Sequence, residues 1–307
     1  MGRTLRVGTR RSRLALAQTQ WVIDRLRERA AGVDFRVVPI YTEGDLDRTT
    51  PLPQMGGRGV FVTAVERALL AGDVDFAVHS LKDLPTAENA QLTIAAVPVR
   101  EDPRDALVSA DGRSLDELPA GATVATGSLR RQAQLAARRP DLRFAPIRGN
   151  VETRRQRALA GEFDATVLAM AGLIRAQLTA GAHPLPVDVM LPAAGQGALA
   201  LQCRRDDSEV AALLRLIDEP DARAGAFAER ALLGLLRGGC HAPVGAYCRR
   251  EGCSQEPWVL EACVARPDGQ GAVRVRVTGQ RPDDLAPQAY ARLWEEPLVR
   301  ELLTKGE

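Results

Sequence analysis

The sequence predicts an α/β fold with two lobes and a smaller C-terminal α+β domain. Short apolar runs alternate with segments of helical periodicity over residues 5–170. Turn-forming and helix-capping residues separate these runs, a pattern typical of parallel sheets covered by helices. Past Glu219 a helical segment is followed by runs of alternating polar and apolar residues, which indicates a separate domain.

The first lobe opens with the strand-like run LRVGT. A helical pattern follows, with Ser12 as its natural N-cap and Ala15, Val22 and Leu26 on one face. Next come the strand-like FRVVPIY, a helix that ends at Gly72 and the strand-like VDFAVHS. We therefore expect a mainly parallel sheet.

The second lobe repeats this alternation after VREDPRDALVS. Strands are predicted for TVATG, RFAPIRG and FDATVLAM, and helices for SLRRQAQLAARR and NVETRRQRALAG. The proline- and glycine-rich segment HPLPVDVMLPAAGQG predicts a crossing between the lobes. The third domain is predicted from the helix RAGAFAERALLGLLRG and the alternating runs WVLEACVARP and GAVRVRVTGQ.

Composition limits the functional classes. The 307 residues carry 41 Lys and Arg against 39 Asp and Glu, so a net charge of +2 gives no global attraction to nucleic acid or anionic membranes. Aromatic residues make up 4%, which leaves few stacking platforms for a nucleic-acid binder. No apolar stretch resembles a signal peptide or a membrane span, so we expect a cytoplasmic protein with no nucleic-acid or membrane partner.

The cysteines are odd in number and include no C-x-x-C pair, which argues against a disulfide framework and a standard zinc knuckle. Cys240 stands out in LLRGGCHAPVGAYC because a glycine pair and a nearby proline predict a loop that exposes its thiol. An alternative is a metal site built from Cys240, His241, Cys248 and Cys253, although this spacing fits no standard zinc pattern. We expect no metal.

Arginines are concentrated between Ser128 and Arg157, where nine stand against two acids. Arg130 and Arg131 lie in the predicted first turn of a helix, where the backbone favours an anion and disfavours a cation. Related corners occur at GTRRS and IRGNVETRR. Guanidinium groups bind carboxylates in pairs, so several such corners facing one cleft would suit a ligand with many carboxylates. The alternative is that arginines solvate helix faces, which we expect for Arg138, Arg139 and Arg157.

The motif HSLKDLP follows a predicted strand and places Ser80, Lys82 and Asp83 at its carboxyl end, where α/β sheets hold ligands. A carboxylate beside Lys82 could move protons or stabilise a cationic intermediate. Alternatively, Asp83 caps the next turn. His79 is predicted to be a structural hydrogen-bonding residue.

The order of these motifs resembles the hydroxymethylbilane synthase family, also called porphobilinogen deaminase. The similarity covers roughly residues 4–250 and is weak beyond Cys253. It is carried by GTRRSRLALAQ, TEGD, GGRGVF, DFAVHSLKDLPT, REDPRDALVS, GSLRRQAQL, IRGNVETR, LAMAGLIR, LPAAGQGALALQCR and GGCHAPVGAYC.

The resemblance implies two lobes with the fold of type II periplasmic binding proteins and a third domain that carries the cysteine loop. The implied boundaries are residues 1–98 with 191–218 for domain 1, 99–190 for domain 2 and 219–307 for domain 3. It also implies a monomeric transferase of tetrapyrrole biosynthesis. This enzyme joins four porphobilinogen molecules head to tail, with loss of ammonia, and releases the linear tetrapyrrole by hydrolysis.

The resemblance further implies a dipyrromethane cofactor bound covalently to Cys240, and Asp83 as the catalytic carboxylate. Each pyrrole ring carries an acetate and a propionate, which gives the arginines a chemical role. The implied cofactor-binding residues are Ser80, Lys82, Asp83, Thr126, Ser128, Arg130, Arg131 and Arg154, and the implied substrate-binding residues are Arg10, Ser12, Arg148, Arg154 and Arg175. Departures from the family pattern occur at Gly127, Gln54 and Arg58.

Two other classes compete with this interpretation. A non-catalytic binding protein of the same fold would explain the arginines but has no use for Cys240 on a glycine loop or for Asp83. A nucleic-acid binder could use the basic segment 128–157, but it would lack aromatic platforms.

Overall fold

The computed structural model describes residues 3–41, 62–237, 242–252 and 256–304 of the chain. The strands are β1 Arg3–Arg10, β2 Val33–Ile40, β3 Phe76–Ser80, β4 Leu92–Ala96, β5 Asp105–Ser109, β6 Thr123–Ala125, β7 Arg143–Ala145, β8 Ala165–Ala169, β9 Ala182–Pro184, β10 Leu199–Arg204, β11 Val244–Arg250, β12 Trp258–Ala265 and β13 Ala272–Gly279.

The helices are α1 Arg13–Arg29, α2 Thr63–Leu70, α3 Leu129–Arg138, α4 Val151–Leu159, α5 Met170–Arg175, α6 Ser208–Arg215, α7 Pro220–Leu235, α8 Leu285–Trp294 and α9 Pro297–Thr304. Short 3₁₀ turns cover Leu81–Asp83 and Pro282–Asp284. None of these helices is long and apolar enough to cross a membrane.

The chain divides into two compact units, residues 1–101 with 197–223 and residues 102–196 with 224–307. Unit 1 contains a five-stranded sheet in the order β2-β1-β3-β10-β4. Strands β2, β1 and β3 are parallel, and β10 runs antiparallel to both β3 and β4. The predicted mainly parallel sheet is therefore found, with one reversed strand inserted near its edge.

Helix α1 buries one side against this sheet. Its Val22, Ile23 and Leu26 belong to the same buried cluster as Val7 and Phe76. Ser12 caps the helix as predicted, because its Oγ accepts a 3.2 Å hydrogen bond from the Ala15 N–H. The cap fixes where β1 ends and the helix begins.

Unit 2 contains a second five-stranded sheet, in the order β7-β6-β8-β5-β9. Here β7, β6 and β8 are parallel and β5 runs antiparallel to β8 and β9. This is the arrangement found in unit 1, with β6 in the place of β1 and β5 in the place of β10. Leu107, Val124, Leu135 and Val167 form the centre of its core.

The same unit holds a smaller antiparallel sheet in the order β11-β12-β13, and residues of α8 and α9 pack into its core. The turn between β12 and β13 contacts α3: Gln132 Nε2 donates to the Pro267 carbonyl at 3.1 Å, and Gly269 adopts a φ of +78° close to Ala136. The predicted fold class, two α/β lobes and a smaller α+β part, is confirmed. The predicted division into three domains stays a prediction.

Candidate active site

Asp83 lies immediately after β3, at the carboxyl end of the strand as predicted. It is exposed and ends a 3₁₀ turn in which Lys82 is half-buried and Leu81 is buried. The Leu81 N–H donates to the Ala198 carbonyl at 3.0 Å, which ties the turn to the segment before β10. A buried leucine and a backbone hydrogen bond thus fix a turn that presents its carboxylate to solvent.

Ser80 is held by a residue that sequence reasoning missed. The hydroxyl of Ser80 and the buried side-chain amide of Gln18 share hydrogen bonds of 3.2 and 3.3 Å. Gln18 lies on α1, so this contact joins the helix to the end of β3. No signal in the sequence distinguishes Gln18 from the other polar residues of α1.

His79 is buried one residue earlier on β3. Burial is the main reason why its pKa falls from 6.5 to about 4. The positive charge of Arg10 lowers the pKa further, whereas the side chain of Gln202 raises it. Its Nε2 has no hydrogen-bond partner among the described residues. His79 is therefore a neutral interior group at neutral pH, and its role as a structural hydrogen-bonding residue stays a prediction.

The arginine corner of unit 1 lies between β1 and α1. Arg10 is half-buried at the end of β1, and Arg11 is exposed with its guanidinium carbon 4.0 Å from the centre of the Tyr41 ring. Ser12 follows as the helix cap. Arg10 and Arg11 thus precede the helix, and Arg13, its first residue, is exposed.

The corresponding corner of unit 2 lies between β6 and α3. The Ser128 N–H donates to Thr126 Oγ1 at 3.1 Å, and the Arg131 N–H donates to Ser128 Oγ at 3.5 Å. Both predicted hydroxyl residues therefore shape the start of the helix. Whether they also contact a ligand stays a prediction.

Arg130 and Arg131 are buried beneath this corner, with exposed fractions of 5% and 7%. Both pair with Asp105, which has an exposed fraction of 0% at the start of β5. The Nη1 of Arg130 lies 2.7 Å from Asp105 Oδ2, and the Nη2 of Arg131 lies 2.8 Å from Asp105 Oδ1. They do not solvate a helix face, which was the alternative considered for them.

Asp105 was not among the predicted site residues. The signal that could have found it is a lone acid at the start of an apolar strand, DALVS, because a buried carboxylate requires a partner. Burial lowers the pKa of Arg131 and the negative charge of Asp105 opposes this change. Arginine stays charged in proteins, so the cluster holds two cations and the carboxylate that both of them share.

The other predicted carboxylate binders of unit 2 lie at the starts and ends of its helices. Arg148 precedes α4, Arg154 lies in its first turn and Arg175 ends α5; all three are half-buried. The Nε of Arg154 donates to the Gly149 carbonyl at 2.7 Å. Their roles toward a ligand stay predictions.

Three further arginines of the basic segment were expected to solvate helix faces. Arg138 is exposed, as that expectation requires, whereas Arg139 and Arg157 are half-buried and bonded within the protein. Arg139 binds Asp141 at 2.7 Å and donates to the carbonyls of Leu115 and Leu118. Arg157 pairs with Glu162 at 2.7 Å. These side chains stabilise helix ends.

The described cysteines are buried free thiols, namely Cys203, Cys248 and Cys263. Burial raises the pKa of Cys203 and of Cys263 to about 11, so both stay protonated at neutral pH and are poor nucleophiles. Cys240 lies outside the described residues, as do His241 and Cys253 of the alternative metal site and the departures Gln54 and Arg58.

Comparison with known sequences identifies the family. Residues 5–212 match the family domain described as "Porphobilinogen deaminase, dipyromethane cofactor binding domain", and residues 224–293 match "Porphobilinogen deaminase, C-terminal domain". The chain belongs to the porphobilinogen deaminase family. The resemblance read from the motifs is confirmed.

Curated members of the porphobilinogen deaminase family match nearly the whole chain. The porphobilinogen deaminase of Brevibacillus brevis is 47% identical over 98% of both chains. That of Desulforudis audaxviator is 50% identical over 96% of both, and that of Thermobifida fusca is 50% identical over 89% of this chain and 85% of its own. Among solved structures, the periplasmic VFT2 domain of Bordetella pertussis BvgS covers 70% of this chain and 86% of its own, with 18% identity and a TM-score of 0.41, too low to indicate function.

The described residues fit the cofactor that the family domain is named for. A dipyrromethane built from porphobilinogen presents carboxylates and pyrrole N–H groups. Arg130 and Arg131 supply two buried cations for one carboxylate, so their pairing leaves positive charge for an acid ligand. Asp83 supplies an exposed carboxylate that can accept hydrogen bonds from pyrrole N–H groups.

Proposed function

We propose that this chain is a hydroxymethylbilane synthase, a transferase that joins four porphobilinogen molecules head to tail and hydrolyses the product free as a linear tetrapyrrole. The observation that carries the proposal is the family match, which spans residues 5–212 and 224–293. Matches at 47–50% identity to proteins named porphobilinogen deaminase support it.

Asp83 is the proposed catalytic residue. When ammonia leaves porphobilinogen, positive charge develops on the resulting methylene-pyrrolenine. A fixed carboxylate stabilises that charge, accepts hydrogen bonds from pyrrole N–H groups and assists proton transfer. The exposure of Asp83 on an anchored turn supports this role, because the group is available to a ligand and held in place.

The arginines and their neighbours are the proposed carboxylate binders. Guanidinium groups bind carboxylates through paired, charge-assisted hydrogen bonds, which orient the pyrrole chain without reacting with it. Lys82 and the hydroxyls of Ser80, Ser12, Thr126 and Ser128 add further donors. The arginines in this set are Arg10, Arg130, Arg148, Arg154 and Arg175, and Arg131 belongs to the buried cluster beside Arg130.

Cys240 is the proposed attachment point of the dipyrromethane. When bound, the cofactor supplies a terminal pyrrole with a free α-carbon. The low reactivity of the buried thiols of Cys203 and Cys263 supports the choice of a different cysteine. A monomeric state, which rests on the family resemblance, and a cytoplasmic location are further proposals.

Stoichiometry tests the proposed function. The purified protein is incubated with porphobilinogen, and substrate loss, ammonia release and products are followed together. We expect one ammonia per porphobilinogen consumed and one linear tetrapyrrole per four. Binding of porphobilinogen without ammonia release would contradict the proposal and favour a binding protein of the same fold.

A further inference from the structure

Arg131 is fully committed to acceptors in its own unit. Its Nε and Nη2 donate to Asp105 Oδ1 at 3.1 and 2.8 Å, and its Nη1 donates to the Val167 carbonyl at 2.7 Å. Every side-chain nitrogen of Arg131 thus makes a hydrogen bond to the protein. The two-donor edge of its guanidinium is occupied by Asp105.

One edge of the Arg130 guanidinium is available to a further hydrogen-bond acceptor. Its Nη1 donates to Asp105 Oδ2 at 2.7 Å and to the Leu191 carbonyl at 2.6 Å. Within the described residues its Nε and Nη2 make no hydrogen bond, and neither is fully enclosed. These two nitrogens form the edge of a guanidinium that matches a carboxylate through two parallel hydrogen bonds.

The charges of the cluster are unequal. Within the described residues, the ion pairs of Arg130 and Arg131 are both made with Asp105, and all three side chains are more than nine-tenths buried. One positive charge is therefore in excess in a largely buried place. Such a charge is unfavourable without a counterion, and a ligand carboxylate would supply one.

Asp105 is itself fixed. Its Oδ1 also accepts a 3.0 Å hydrogen bond from Gln196 Nε2, and the same nitrogen donates to the Pro103 carbonyl at 2.7 Å. Gln196 is buried, with an exposed fraction of 1%. The carboxylate cannot rotate without breaking bonds to both arginines and to this amide.

We propose that Asp105 is a positioning residue. Arg131 fixes the Asp105 carboxylate, and this carboxylate accepts a hydrogen bond from Nη1 of Arg130. The Nε–Nη2 edge of Arg130 is thereby oriented toward a carboxylate of the pyrrole ligand. The proposal rests on the proposed function, because it requires a ligand that carries carboxylates. Arg130 then contacts the ligand, whereas Arg131, which the family resemblance implies as a cofactor-binding residue, has a structural role.

The test uses Asp105→Asn, which keeps the shape and removes the charge that orients Arg130. The matched control is Asp141→Asn, which removes the partner of Arg139 beyond the other end of α3. Porphobilinogen affinity is measured by calorimetry in a Cys240→Ser background, which cannot carry the cofactor. In the cofactor-bearing enzyme, KM and kcat are measured separately.

For Asp105→Asn we expect at least a tenfold loss of porphobilinogen affinity and a tenfold rise in KM, with kcat changed less than threefold. The Asp141→Asn control is expected to stay within twofold of the wild type. If Asp105→Asn does not fold, Gln196→Leu removes one support of the carboxylate without changing charge, and about a threefold loss of affinity is expected. Affinity within a factor of 1.5 of the wild type in the variant that folds would overturn the proposal.

A double-mutant cycle separates positioning from general stability. If Asp105 acts through Arg130, Asp105→Asn adds less than twofold to the affinity loss already caused by Arg130→Gln. Losses that multiply would overturn the proposal. The proposed function could also fail by itself: the wild type would then bind porphobilinogen but form no tetrapyrrole. If Asp105→Asn still weakened that binding, the proposed function would be refuted and this inference would stand.

Discussion

The two corners at which a strand passes into a capped helix differ in how deeply they bury their arginines. In unit 1, Arg10 is half-buried before the cap Ser12, and Arg11 and Arg13 on either side of the cap are exposed. In unit 2, Arg130 and Arg131 follow the cap Ser128 and are buried. Two sheets of corresponding strand order thus end in corners that bury their arginines to different extents.

The difference shows what burial of an arginine requires. An exposed cation, such as Arg11 or Arg13, keeps access to water. A cation in the first turn opposes the helix dipole and, when buried, needs a carboxylate brought from elsewhere in the chain. Asp105 meets this need 25 residues before Arg130, and its carboxylate accepts hydrogen bonds from both buried arginines.

The largest expected effect concerns the acid of unit 1. Asp83→Asn keeps the shape of the side chain and removes its charge, so turnover should fall by about 10²- to 10⁴-fold, while thermal stability changes little because Asp83 is exposed. Steady-state rates and a melting curve check both statements. Asp73→Asn is the control, since Asp73 is an exposed acid of the same unit.

Wild-type turnover in Asp83→Asn would contradict the proposed catalytic role of Asp83, because the carboxylate of this residue in unit 1 would then not be needed for the reaction. An equal loss of rate in Asp73→Asn would point instead to a general effect of charge.

Sequence reasoning succeeded where the pattern is local. Ser12 caps the first helix as predicted, helices form in the predicted segments that begin at Ser128 and Asn150, and Asp83 lies at the carboxyl end of β3 as predicted. It could not foresee the reversed strands β5 and β10, since an apolar run carries no information on its direction in the sheet. The partnership of Asp105 with two arginines was missed for a similar reason, because it joins groups distant in the sequence.

A smaller effect is expected from His79. Its pKa is about 4 in the folded chain against 6.5 when unperturbed, so between these values the unfolded chain binds a proton that the folded chain does not. The contribution of His79 to the free energy of unfolding is therefore fully present above pH 6.5. It is lost as the pH falls toward 4, and amounts to on the order of 3 kcal/mol.

Urea unfolding of wild type and His79→Gln at pH 7 and pH 4.5 measures this contribution. The variant should lose about 2 kcal/mol less than the wild type on acidification. Equal losses in the two proteins would show that His79 is not held neutral, and that the interior beside the acid of unit 1 is wetter than described.

The smallest expected effect compares one glycine from each unit. Gly72 and Gly269 have φ values of +74° and +78°, but a Cβ on Gly72 meets nothing within 4 Å, whereas one on Gly269 would lie 2.5 Å from the Ala136 carbonyl carbon. We expect Gly72→Ala to lower the free energy of unfolding by about 1 kcal/mol and Gly269→Ala by about 2 kcal/mol or more. Similar losses in urea unfolding would show that the turn after β12 can move away from α3.

The intact mass of the purified protein, measured beside its Cys240→Ser variant, tests the central claim most directly. The account predicts that the wild type is heavier than its sequence by two porphobilinogen units less two ammonia molecules, and that the variant has the mass of its sequence. An unmodified wild type, unchanged after incubation with porphobilinogen, would contradict the assignment of a covalent dipyrromethane at Cys240.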